Sequence, residues 1–161
     1  MKELNYPKRS IVVLNPLADG GEIDVQEIEK DSLEQMYRVI GCSYVDHFNI
    51  PELEKNHIDV WLNDDGVLET LEPNIVLFNN DGRCCNELRG TLVFAKFTDD
   101  GETIGLKRKD VEFIKNWISV RLGRCFNNNG KSFYAYQYDY DYLEESYRWY
   151  KEMEKLGFKP L

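Results

Sequence analysis

Little in this chain advertises a chemistry. Its 161 residues include only two histidines, His47 and His57, three tryptophans and four cysteines. Metal-binding proteins space their ligands as Cys-x-x-Cys or His-x-x-x-His, and neither pattern occurs, so a structural zinc is disfavoured. The phosphate-cradling glycine loops, the zinc-protease helix and the Gly-x-Ser-x-Gly elbow are all missing. The Asp-Gly turns do not make a calcium loop. With Gly66 as the turn glycine the first ligand position is Trp61, and with Gly101 it is Lys96.

Long apolar runs are absent too. None approaches the roughly 18 residues that cross a bilayer. The run Ile11 to Leu14 is too short for a secretory signal core and no small-residue cleavage site follows it. A cytoplasmic protein is the expectation, and with it reduced thiols at Cys42, Cys84, Cys85 and Cys125 rather than two disulfides. Positive charge is also scarce. Twenty bases against 29 acids leave a net charge of −9, which disfavours a nonspecific grip on phosphate and favours solubility or a basic partner.

The content is that of one folded domain, 42% hydrophobic and 30% charged. Charge is uneven along it. Asp19, Glu22, Asp24, Glu27, Glu29, Asp31 and Glu34 face only Lys30, whereas Lys107, Arg108, Lys109, Lys115, Arg121 and Arg124 face only Asp110 and Glu112. The second group could meet phosphates with Phe113 or Trp117 stacking on bases. A solvated helix face with aromatic core anchors is the simpler reading.

Periodicity yields the elements. β-branched Ile11-Val12-Val13 predicts a strand over 9–15, and a second follows the Asp19-Gly20-Gly21 turn over 22–29. Leu33, Met36, Tyr37 and Ile40 form a helical stripe, capped by Asp31 or Ser32 and ended by Gly41. Tyr44 to Ile50 predicts a strand closed by Pro51. Ile58, Val60 and Leu62 alternate toward a hairpin with Val67-Leu68, and Ile75 to Phe78 is a further strand. Leu88 to Phe97 predicts one strand whose Leu92-Val93-Phe94-Ala95 is covered on both faces. Val111, Ile114, Ile118 and Leu122 mark a helix over 109–122 with Asp110 in its first turn. The expected fold is α+β: a mostly antiparallel sheet of five to seven strands, two packed helices and an added C-terminal helix. Residues 1–124 form the core, and 125–161 an aromatic-acidic extension packed on it.

That extension is distinctive. Tyr134, Tyr136, Tyr138, Tyr140 and Tyr142 occupy every second position, so an extended chain puts all five rings on one side. Asp139, Asp141, Glu144 and Glu145 interleave or follow, then Arg148 and Trp149. The rings either cover the sheet or contact a partner, since Tyr, Trp and Arg are enriched at binding hot spots. The candidate partner surface is Tyr136, Tyr138, Asp139, Tyr140, Asp141, Glu144, Glu145, Arg148 and Trp149.

From Ile11 to Trp117 the chain resembles an uncharacterised small-domain family of phages, plasmids and other mobile elements, mostly of Firmicutes. The resemblance rests on Ser32-Leu33, Val39-Ile40-Gly41-Cys42-Ser43-Tyr44, Val60-Trp61-Leu62-Asn63-Asp64-Asp65-Gly66, Leu71 with Pro73-Asn74, Leu88-Arg89-Gly90-Thr91-Leu92-Val93 and Leu106. Cys42 replaces a second glycine of that pattern, and Lys107 stands where Thr or Ser usually caps the helix. Such a resemblance implies an accessory protein in a host bacterial cell. The leading expectation is a non-enzymatic inhibitor of a host nucleic-acid-handling defence protein, anti-CRISPR-like, whose partner is a host protein such as a basic nuclease. No cofactor, no direct DNA contact and no membrane are expected. The alternatives are a module that sequesters a small ligand or nucleotide, and a nucleic-acid-processing enzyme, for instance one built on a Cys-His pair.

Overall fold

The computed structural model describes residues 8–29, 33–42, 44–65, 70–79, 83–126 and 130–137. In chain order these hold β1 (Lys8–Leu14), a 3-10 turn (Leu17–Asp19), β2 (Ile23–Glu29), α1 (Leu33–Ile40), β3 (Val45–Phe48) and α2 (Pro51–Glu54). Then come β4 (Ile58–Asn63), β5 (Pro73–Phe78), β6 (Cys84–Arg89), β7 (Leu92–Phe97), β8 (Thr103–Ile104), α3 (Arg108–Arg121), β9 (Gly123–Phe126) and β10 (Ser132–Gln137).

The organising strand is β7. Successive side chains of a strand point to opposite faces, and here both faces are apolar. Leu92 and Phe94 enter one core with Val12, Leu14, Ile58 and Val60, while Val93 and Ala95 enter a second with Ile11, Val13, Met36 and Ile40. Polar side chains at those positions would be stranded in either core, which is why Leu92-Val93-Phe94-Ala95 reads as a continuous apolar run. Around β7 the first sheet runs β2-β1-β7-β4-β3, with β8 paired to β7, and every pair is antiparallel. Helix α1 covers one face. Gly41 ends it at φ +79, a conformation that costs a residue without Cβ little.

The other face is covered by a second sheet, β6-β5-β10-β9, together with α2 and α3. The expected single sheet of five to seven strands is therefore two sheets with ten strands among the described residues, α+β and mostly antiparallel as expected. The expected strand Leu88 to Phe97 is broken at Gly90, whose φ of +78 turns the chain out of β6 in one sheet and toward β7 in the other. Both sides of β4 are occupied, by β3 and β7, and the predicted partner Val67-Leu68 lies outside the described residues. So do the capping candidates Asp31 and Ser32. Pro51, expected to close a strand, opens α2 instead, where its missing N–H costs nothing.

Asn74 ties the sheets together. Wholly buried, it donates from Nδ2 to the Leu14 carbonyl at 2.9 Å and to the Gly90 carbonyl at 2.8 Å. The first acceptor belongs to β1 and the second to the crossing between sheets.

The expected boundary at residue 124 falls inside β9. Beyond it lies β10. It pairs in parallel with β5 (Tyr134↔Ile75 to Gln137↔Phe78) and antiparallel with β9, so residues to 137 complete the second sheet. A chain ending at Arg124 loses β10 and leaves the β5 residues Ile75 and Leu77 without the strand that covers their edge. It should show no cooperative chemical unfolding transition, whereas the 161-residue chain should; a truncated chain that unfolds with the same midpoint would contradict this topology.

Candidate functional site

Of the alternating tyrosines, Tyr134 and Tyr136 lie within the described residues. Tyr134 and Tyr136 share one face of β10, as period 2 requires, and that face is inward: they are 2% and 1% exposed. Tyr136, expected on a docking surface, is thus a core residue. Its strand lies between β5 and β9, and its ring packs 5.6 Å from that of Trp117. The remaining candidates, Tyr138, Asp139, Tyr140, Asp141, Glu144, Glu145, Arg148 and Trp149, lie outside the described residues, as does the expected C-terminal helix.

Burying a phenol requires a partner for its hydroxyl. The Tyr134 hydroxyl donates to the Gly21 carbonyl at 3.3 Å, and that of Tyr136 donates to Glu52 Oε1 at 3.1 Å. Glu52 also accepts from Trp117 Nε1 at 2.9 Å and from Arg121 Nε at 2.8 Å, and Arg121 Nη2 lies 2.6 Å from its Oε1. The Arg121 guanidinium stands 5.1 Å from the centre of the Tyr136 ring, within cation–π range. Burial pushes the Glu52 carboxyl up, but the hydrogen bonds from Arg121, Trp117 and Tyr136 and the Arg121 charge outweigh it, and its pKa lies below the ordinary value. Burial, with the Glu52 charge beside it, holds the Tyr136 hydroxyl far above the usual phenol range. Glu52 therefore stays ionised and Tyr136 neutral across physiological pH.

Helix α3 has two faces. Ile114, Trp117 and Ile118 are buried, so Trp117 is a core anchor and not an external stacking platform. Asp110 accepts the Lys107 backbone N–H at 2.8 Å and Lys96 Nζ at 3.0 Å, supplying the cap that Lys107 lacks. Burial raises its pKa, and those hydrogen bonds with the lysine charges bring it below the ordinary value. Lys107, Arg108, Lys109 and Lys115 are exposed.

Of the acidic run, Asp24, Glu27 and Glu29 lie on β2 at one border of the first sheet, while Asp19 ends the 3-10 turn and Glu22 precedes the strand. Asp19, Glu22, Asp24, Glu27 and Glu29 are all exposed. Among the described residues β2 pairs only with β1, so this border is a sheet edge.

Burial raises the thiol pKa of Cys84, helped by Glu87, and that of Cys85, helped by Cys84. Activation of a nucleophile runs the opposite way. His57 Nε2 lies 2.9 Å from Asp99 Oδ1, and the His47 ring sits 5.3 Å from that of Trp61. Among the described residues no group of three or more His, Cys, Asp or Glu is placed to hold a metal ion.

A family model described as Domain of unknown function (DUF3846) matches residues 11–119, in line with the resemblance seen from Ile11 to Trp117. No curated protein matches the chain, and no solved structure does. The matched span ends within α3, before β9 and the buried tyrosines of β10. Sequence reasoning did not single out Glu52: three donors converge on it, but nothing in its neighbourhood, Ile50-Pro51-Glu52-Leu53, marks it.

Glu52 sets a pH dependence whose sign follows from its lowered pKa. A carboxylate held below its unfolded value of 4.5 contributes stability above that pH, and the contribution is lost as pH falls through the folded value. Glu52→Gln should lower unfolding free energy at pH 7 by about 1–3 kcal/mol, because a charged acceptor is replaced by a neutral one. The gap between variant and parent should close in denaturant titrations below pH 4. A gap constant from pH 7 to pH 3 would contradict the assignment.

Proposed function

The chain belongs to the family described as Domain of unknown function (DUF3846), and from that premise we propose that it is a non-enzymatic accessory protein of a phage or other mobile element. Acting in the host cytoplasm, it binds and inhibits a nucleic-acid-handling defence protein, in the manner of anti-CRISPR proteins. One observation carries the reading: five exposed carboxylates, Asp24, Glu27 and Glu29 on the edge strand β2 and Asp19 and Glu22 in the turn that leads into it, belong to a chain whose net charge is −9.

Nucleic-acid-binding proteins present grooves of Lys and Arg, and a surface with negative charge at close intervals competes for them. Residues two apart on a strand share a face and are separated by about 7 Å, so Glu27 and Glu29 stand at that spacing on one face of β2, with Asp24 on the other. Apart from the Glu29 N–H, which donates to Gln35 Oε1 at 2.8 Å, no other strand among the described residues pairs with the outer side of β2, and its backbone groups would suit an extended partner segment. Neutral packing would not favour so many carboxylates on one border. Among the described residues no helix is long and apolar enough to cross a membrane.

The reading is tested by competition. The protein should displace guide or target nucleic acid from an RNA-guided nuclease, with an affinity that falls as salt rises. Replacing Asp19, Glu22, Asp24, Glu27 and Glu29 by their amides should weaken binding at least tenfold and flatten the salt dependence. Equal affinity of the neutralised variant for a nuclease that the parent chain inhibits would remove the edge from the mechanism.

A further inference from the structure

A groove on another part of the molecule carries charge of the opposite sign. It runs between α2 and α3 as two compartments that meet at Lys55, Asn56 and Phe113. One, about 420 Å³, is polar and adds His57, Lys96 and Lys109. The other, about 300 Å³, is mainly apolar, walled by Trp117 and Val120 over the Glu52–Arg121 pair. Both volumes fall in the range of small-ligand sites. None of these residues comes from the 3-10 turn or β2, so the groove is independent of the acidic edge.

The electrostatics are those of an anion site. The groove's two carboxylates are already neutralised, Asp110 by Lys96 at 3.0 Å and Glu52 by Arg121 at 2.6 Å. Lys55 and Lys109 make no direct salt bridge among the described residues and are exposed at the polar compartment, although the Lys109 charge also acts on Asp110. Two exposed lysines that line one concavity and make no direct salt bridge stand out from solubilising charge in a chain of net charge −9. The backbone adds to this. His57 holds a left-handed φ of +59, uncommon for a residue with Cβ. That conformation is fixed by Phe97 N–H donating to the His57 carbonyl at 2.9 Å, and the imidazole is held by Asp99 and the Phe97 ring. Its ring therefore stands beside the polar compartment.

The apolar compartment selects the rest of the ligand. Phe113 and Val120, the latter 69% exposed, present apolar surface. Asn56 spends its Nδ2 on the Glu52 carbonyl at 3.1 Å, leaving its carbonyl oxygen, and the whole Asn116 amide, without a protein partner among the described residues. A flat heterocycle with edge donors and acceptors suits a half-apolar slot flanked by carboxamides. We propose that the groove binds a mononucleotide, its phosphate on Lys55 and Lys109 and its base against Phe113 with Asn56 and Asn116 at its edge. A long nucleic-acid strand does not fit this charge pattern. Two lysines release few counterions, and the net negative chain repels an extended polyanion.

Titration of the full chain with AMP, GMP, CMP and UMP, each followed by amide and indole NMR shifts, tests this. At least one nucleotide should give saturable shifts of the Trp117 indole N–H and the Asn56 and Asn116 side-chain amides. Its affinity should exceed that of the matching nucleoside and of inorganic phosphate at least tenfold. Lys55→Glu with Lys109→Glu, both exposed and so compatible with the fold, should weaken it tenfold or more. Phe113→Leu should weaken nucleotide binding several-fold while leaving inorganic phosphate unaffected. The proposal is overturned if all four nucleotides fail to saturate at millimolar concentration, or if the double lysine variant binds equally well. It is likewise overturned if inorganic phosphate matches the best nucleotide, or if a ten-residue single-stranded RNA binds more tightly than any monomer.

Discussion

A single carboxylate, Glu52, accepts from an indole, a guanidinium and a phenol that come from α3 and β10. Each donor must be satisfied if Trp117 and Tyr136 are to bring their rings into the core, because a buried N–H or O–H without a partner costs about 1–3 kcal/mol. Glu52 therefore permits the aromatic packing that fixes β10 against α3. Strand β10 in turn sits between β5 and β9. The second sheet, and with it the cover over one face of β7, depends on this junction.

That dependence explains the relation between the family-matched span and the rest of the chain. Residues 11–119 supply the first sheet, α1, α2, the β5–β6 pair and most of α3. The segment from β9 to β10 inserts a strand beside β5 and adds two tyrosines, Tyr134 and Tyr136, to the larger core. The alternation of tyrosines thus begins as packing, whatever its later members do. Two surfaces of opposite charge remain outside this core. The edge at β2 gathers carboxylates that are close neighbours in sequence, whereas the α2–α3 groove gathers Lys55, Lys96 and Lys109 from three separate parts of the chain.

Local signals were legible wherever one element carried its own pattern. The β-branched run of β1, the stripe of α1, the doubly covered β7 and the stripe of α3 appear in the fold near their expected positions, as does the left-handed Gly41. Long-range choices were not legible. The span Leu88 to Phe97 read as one strand, because the role of Gly90 in separating two sheets depends on where β5 and β1 lie. The parallel pairing of β10 with β5 leaves no local trace, and the four-residue α2 is too short to show a stripe. The acidic run was visible because its residues are neighbours. Glu52 was invisible for the converse reason: its partners Trp117, Arg121 and Tyr136 lie 65, 69 and 84 residues away.

The claim on which this account turns is that Glu52 and Tyr136 stabilise the fold jointly. A double-mutant cycle with Glu52→Gln and Tyr136→Phe, read from denaturant unfolding at pH 7, measures that coupling directly. The account predicts an interaction energy of about 1 kcal/mol or more, since the hydrogen bond joins a phenol to a charged acceptor. Additive effects, within about 0.3 kcal/mol, would show that the two residues act independently and that the junction does not hold β10 in place.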